Sequence, residues 1–168
     1  MASALGLSFA RNHISYFAIP AAFACAHIPH LYSAIASQGA YDNSNPRALK
    51  DNIASVGTLD EETKQRLIRA KRASENNYET IGLFAAGVAA ANQAGAPTCV
   101  VNALSWGYVG FRVLYNFVYI NLGGIRKTHW LRSAVWSLCM WSSVGLFVAA
   151  GIYSTKGDYQ YELEFENI

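Results

Sequence analysis

The sequence predicts an all-α integral membrane protein with four transmembrane helices. Three observations lead there. Of 168 residues, 52% are hydrophobic and only 14% are charged, against roughly 25% charged in a typical soluble domain. The charge is segregated, most of it in residues 41–79 and in the last dozen. Outside these stretches stand four apolar runs; the first, third and fourth come near the ~20 residues that ~30 Å of hydrocarbon requires, and the second, residues 80–91, is the apolar half of a longer helix. Four Trp, ten Tyr and eight Phe suit helix ends at a headgroup belt. The length fits one domain over residues 1–168. A net charge of +2 with no basic, aromatic-laced stripe excludes a nucleic-acid footprint. Cys25, Cys99 and Cys139 lie in or beside apolar segments and read as small buried thiols, with no CxxC pair.

The first helix covers about residues 13–36 and is almost uncharged. It is too long for the core of a cleaved signal peptide and is read as retained. Pro20 and Pro29 lie within it; membrane helices tolerate proline where neighbours satisfy the freed carbonyls. His27 and His30 read as packing groups. They lack the carboxylate or HExxH pattern of a metal site.

A loop over 37–58 follows, rich in the turn formers Gly39, Asp42, Asn43, Ser44, Asn45 and Pro46, with a short helix over 48–53. The second long helix, about 59–91, is predicted to be capped by Thr58 with Glu61 completing a capping box. Its first half is polar and projects from the lipid; its second half spans. Lys71 and Glu75 read as solvated charges, as does Arg126 further on.

The third helix covers about 98–122 and carries Arg112 well inside the apolar run. Such an arginine is costly and pairs or faces a cavity. The fourth covers about 131–152. The polar tail 153–168 reads as a surface extension, either partly disordered or packed across another subunit. Arg and Lys crowd the first and third connections, while the second has none. The positive-inside rule places those two in the cytoplasm and both termini on the opposite side.

Helical spacing assembles a candidate site. Arg69, Arg72, Asn76 and Glu79 stand at +3, +7 and +10 and share one face of the second helix. Arg112, Tyr115 and Tyr119 form a second stripe at +3 and +7. Arg132 and Ser133 open the fourth helix on the same membrane side. Several arginines against one carboxylate suit an anionic ligand, with guanidinium forks on carboxylates. Glu79 is free to pair with Arg112 or with a ligand ammonium. A peptide-like molecule with two carboxylates and an amine satisfies this set. A guanidinium beside a thiol favours the nucleophilic thiolate, which gives Arg132 a catalytic role. Ser133 is placed to donate to the same sulfur, and Tyr115 or Tyr119 to orient ligand or donate a proton. The electrophile is a lipophilic small molecule arriving from membrane lipid.

These residues resemble the superfamily of membrane-associated proteins in eicosanoid and glutathione metabolism (MAPEG). Arg69-Ala70-Lys71-Arg72-Ala73 with Asn76 and Glu79 is similar to its Arg-x-x-Arg-Ala-x-x-Asn-x-x-Glu signature. Asn45-Pro46-Arg47, Arg112-Val113-Leu114-Tyr115, Tyr119 and Leu131-Arg132-Ser133 match further elements in order over residues 14–152. The resemblance implies a four-helix bundle assembled as a homotrimer, in the endoplasmic reticulum, with glutathione between adjacent subunits. It implies glutathione contacts at Arg72, Asn76, Glu79, Arg112, Tyr115 and Tyr119, thiol activation by Arg132, and a serine beside it at Ser133. The implied function is a glutathione-dependent transferase or peroxidase acting on a lipophilic electrophile. The alternatives are a glutathione-independent isomerase or cyclase, with His27, His30, Tyr115 and Tyr119 as acid–base candidates, and a non-enzymatic membrane regulator. The pattern departs at the end of the first helix, where Ser37 and Gln38 stand in place of an arginine, at Ile68, at Arg47-Ala48, and in a longer connection from Tyr119 to Arg132.

Overall fold

The structure, a computed structural model, describes residues 8–166 and the side chains of residues 8–156. Helix α1 (Ser15–Ala36) contains both prolines. Pro29 has no N–H, so the carbonyl of Cys25 loses its helical donor. Two amides replace it: Asn77 Nδ2 donates at 3.2 Å and Asn116 Nδ2 at 2.8 Å. Asn77 also donates to Asn116 Oδ1 at 2.7 Å, which ties three helices at one level. The helix ends at a reversal through Gln38 and Gly39, whose φ values of 51° and 89° are left-handed.

The 37–58 connection is a packed element. A 3-10 turn, Pro46–Ala48, leads into α2 (Leu49–Ser55). Leu49 and Ile53, one turn apart, bury against Leu67 and Ile68 of α3 (Glu61–Gln93). The cap of α3 is Asp60, not Thr58. Asp60 lies in extended backbone directly before the first turn and accepts from Thr63 N at 2.9 Å. A carboxylate there also complements the positive helix end. Thr58 donates its hydroxyl to Gln38 Oε1 at 2.6 Å instead. At ~1.5 Å per residue, α3 is about 50 Å long.

Helix α4 (Thr98–Phe117) is shorter than the predicted 98–122. Its last turn widens into a π turn over Val118–Leu122. The carbonyl of Ile120, inside this turn, is held from α3: Arg69 Nε donates to it at 3.0 Å. Arg69 therefore serves the fold. After a 3-10 turn, Arg126–Thr128, α5 (His129–Glu166) starts two residues early and overruns the predicted end at 152. No proline stops it, and Glu, Gln and Leu in residues 160–166 favour helix. The surroundings of the tail beyond residue 156 lie outside the described side chains.

α1 and α5 each pack against both α3 and α4, and α3 also meets α4. Ala18, Ala22, Phe84, Val88, Val101, Tyr108, Cys139 and Leu146 fill the centre. Many large apolar groups face outward, among them Phe17, Ile28, Val113, Phe117 and Trp141. That is the pattern of a lipid-solvated surface. Two of the four expected spans, Ser15–Ala36 and Arg126–Lys156, are long and apolar enough to cross a membrane. α3 begins polar, and α4 buries Asn102, Ser105 and Arg112, which lowers their hydropathy.

Candidate functional site

A cavity of about 500 Å³ opens between α3, the end of α4 and the start of α5. Asn76, Tyr115, Tyr119, Arg132, Ser133, Trp136 and Ser137 line it. Helical periodicity explains the set. Tyr115 and Tyr119 are one turn apart, and Trp136 and Ser137 repeat Arg132 and Ser133 at +4. The tyrosine rings lie 5.5 Å apart, and the Arg132 guanidinium sits 5.1 Å above the Tyr119 ring. That contact holds the charge at the wall without neutralising it. Five predicted residues therefore meet at one cavity: Asn76, Tyr115, Tyr119, Arg132 and Ser133.

Arg112 is placed differently from a direct ligand contact. It is 1% exposed and does not line the cavity. Its guanidinium lies 5.1 Å from the Tyr108 ring and 5.6 Å from the Tyr115 ring. Nη1 donates to Asn76 Oδ1 at 3.1 Å, and Nη2 donates to Thr80 Oγ1. The Thr80 and Tyr108 hydroxyls are 3.0 Å apart. Nε is buried without a partner. Among the described residues no carboxylate pairs with Arg112; the ion pairs are Lys50–Glu75, Arg66–Glu62 and Lys71–Glu75. The anticipated Glu79–Arg112 pair does not form, because Glu79 is exposed while Arg112 is committed inward. Arg72 is also exposed. Both flank Asn76 on one row of α3 without lining the cavity of this chain.

His27 and His30 do not join the tyrosines of the cavity. His27 Nδ1 lies 3.0 Å from the Tyr78 hydroxyl. His30 packs edge-on to Tyr41, with Lys71 Nζ at 3.4 Å from its Nδ1. Lys71 is not a solvated charge: its side chain is only 14% exposed, and it shares Glu75 with Lys50, which tethers α2 to α3. Sequence reading missed Trp136, Ser137 and Thr80. The +4 repeat from Arg132 and Ser133 signals the first two, and the +4 step from Asn76 signals Thr80.

The lining is a donor wall. Arg132 is its one charged residue, with hydroxyls from Ser133, Tyr115 and Tyr119 and an amide from Asn76; the Ser137 hydroxyl donates back to the Ser133 carbonyl at 2.9 Å. Such a wall takes an anion with several acceptors. Among the described residues no group of three His, Cys, Asp or Glu is placed to hold a metal ion. Cys25 and Cys139 are buried, Cys99 is exposed, and none is bridged. Comparison with family models matches residues 16–152 to the MAPEG family. No curated protein and no solved structure matches the chain.

Proposed function

The chain belongs to the MAPEG family, and from that premise we propose that it is a glutathione-dependent membrane transferase or peroxidase acting on a lipophilic electrophile. The observation that carries this reading is the cavity lining, in which Arg132 is the single charged group amid hydroxyl and amide donors. The donor set fits the tripeptide, which brings two carboxylates and two peptide carbonyls. Glutathione supplies a nucleophilic thiol there. Arg132 lowers the free energy of the thiolate by its charge, and Ser133 donates a hydrogen bond beside it. Tyr119 supports the guanidinium from below. Tyr115 or Tyr119 returns a proton to the oxygen or carbon on which negative charge develops.

In this reading α3 and α4 also cross the membrane, giving four spans in the endoplasmic reticulum with the Arg-rich connections cytoplasmic. Three copies assemble, and the exposed Arg72 and Glu79 of α3 complete a site shared between neighbours. A thiol-independent isomerase or cyclase is the weaker reading: of its four acid–base candidates Tyr115 and Tyr119 line the cavity, but His27 and His30 do not. A non-enzymatic regulator leaves an open cationic cavity without a purpose.

The test is a glutathione titration of the detergent-solubilised protein, followed by thiolate absorbance, with wild type and Arg132→Ala. The wild type binds and shows thiolate at neutral pH. Arg132→Ala retains binding but raises the thiol pKa by about one unit or more. Neither binding nor thiolate in the wild type refutes the reading; unchanged thiolate in the variant removes Arg132 from its role.

A further inference from the structure

Arginine carries donors only. The atom of Asn76 that meets Arg112 Nη1 is therefore its oxygen, at 3.1 Å. Asn76 also lines the cavity, so its remaining polar group, the N–H2, is the one available to a ligand. Arg112 has no freedom to change this. It is almost wholly buried, sits against the rings of Tyr108 and Tyr115, and is held a second time by Thr80. We propose that Arg112 is a positioning residue that locks the Asn76 amide with its N–H2 toward the cavity, making this wall a donor for a carboxylate or peptide carbonyl of the ligand.

The inference rests on the glutathione reading for the ligand's identity. It replaces direct contact by Arg112 with action through Asn76. An amide with a free choice of orientation accepts either an N–H or a C=O from a ligand. Held by a buried cation, it accepts only the acceptor end. The position thus selects which end of a peptide-like molecule enters.

The test uses the full chain in detergent. Without ligand, thermal unfolding is followed for Asn76→Asp, Arg112→Gln and the double variant. Asn76→Asp raises the midpoint when Arg112 is present, by placing a carboxylate on the guanidinium, and lowers it in the Arg112→Gln background. An effect of equal sign and size in both backgrounds overturns the pair. Glutathione titrations then read the donor assignment. Asn76→Ala loses one hydrogen bond and weakens binding by about three- to tenfold. Asn76→Asp, isosteric but turning an acceptor to the ligand, weakens it by about ten- to a hundredfold. Binding of Asn76→Asp as tight as wild type, or tighter than Asn76→Ala, overturns the assignment. Should Arg112→Gln fail to fold, the order of the two Asn76 variants decides alone. A wild type that shows the thermal coupling yet takes up no glutathione overturns the glutathione reading and leaves the Arg112–Asn76 pair supported.

Discussion

The Cys25 carbonyl offers a sharp test of how α1 is held. Pro29 deprives it of a helical donor, and the amides of Asn77 and Asn116 serve in its place. Asn116→Leu removes two of the three hydrogen bonds at that junction: the 2.8 Å bond to the carbonyl and the 2.7 Å bond from Asn77. The 3.2 Å bond from Asn77 remains. Hydrogen bonds between membrane helices average ~0.6 kcal/mol and reach ~1.7, so the loss is about 1–3 kcal/mol. For a chain of this size that lowers the melting midpoint by roughly 2–10 °C. Adding Pro29→Ala restores an N–H within the helix that reaches the same carbonyl. The penalty of Asn116→Leu then falls to about half, since one of its two lost bonds has a substitute. The assay is thermal unfolding in detergent for the wild type, the two single variants and the double variant. An Asn116→Leu penalty of equal size in both backgrounds refutes the assignment of these amides to the proline gap.

Two further perturbations read other parts of the fold. A side chain at position 123 meets the Tyr119 carbonyl and, at 2.8 Å, Arg69 Cδ, whereas at 124 the nearest atom is Arg69 Nη1 at 3.6 Å. Gly123→Ala therefore destabilises by about 1–3 kcal/mol and weakens ligand binding through Tyr119, while Gly124→Ala stays within about 0.5 kcal/mol; equal melting midpoints for the two variants contradict the close packing of Arg69. The hydroxyl and backbone N–H of Thr63 hold the Asp60 carboxyl below its usual pKa. A carboxyl whose pKa is lower folded than unfolded adds stability above the unfolded value and loses it as pH falls through the folded one. Asp60→Ala accordingly lowers the midpoint at pH 7, and its gap to wild type narrows as pH falls below about 4, where the neutral carboxyl keeps only a weaker bond from Thr63; a gap of constant size down to low pH assigns the effect to something other than the ionised cap.

Much of this was legible in order along the chain. Apolar runs and charge segregation marked the long helices, and the +3, +7 and +10 rows named Asn76, Tyr115 and Tyr119 as face-sharing groups. Those features are local, because a helix fixes the angle between its own side chains whatever surrounds it. The helix termini were less legible. Thr58 and Asp60 are both competent caps, and the choice fell to the residue whose backbone was extended at the turn. The bond from Arg69 to the Ile120 carbonyl inside the π turn joins residues 51 positions apart, so no short window of sequence contains both.

The sequence by itself determined which side chains share a helical face and that these faces are polar rows set in apolar helices. It also determined that Arg132 and Ser133 open the last helix as neighbours, and that Pro29 frees a carbonyl. Only the tertiary structure decided how the rows meet. It placed Arg112 behind Asn76, brought Arg132 over Tyr119, left Arg72 and Glu79 at the surface, and packed the partly buried Lys71 against His30 and Glu75. The physical reason is that rotation and axial register between helices are set by packing across the whole chain. A turn of one helix about its axis moves a residue from wall to surface without changing its sequence neighbours.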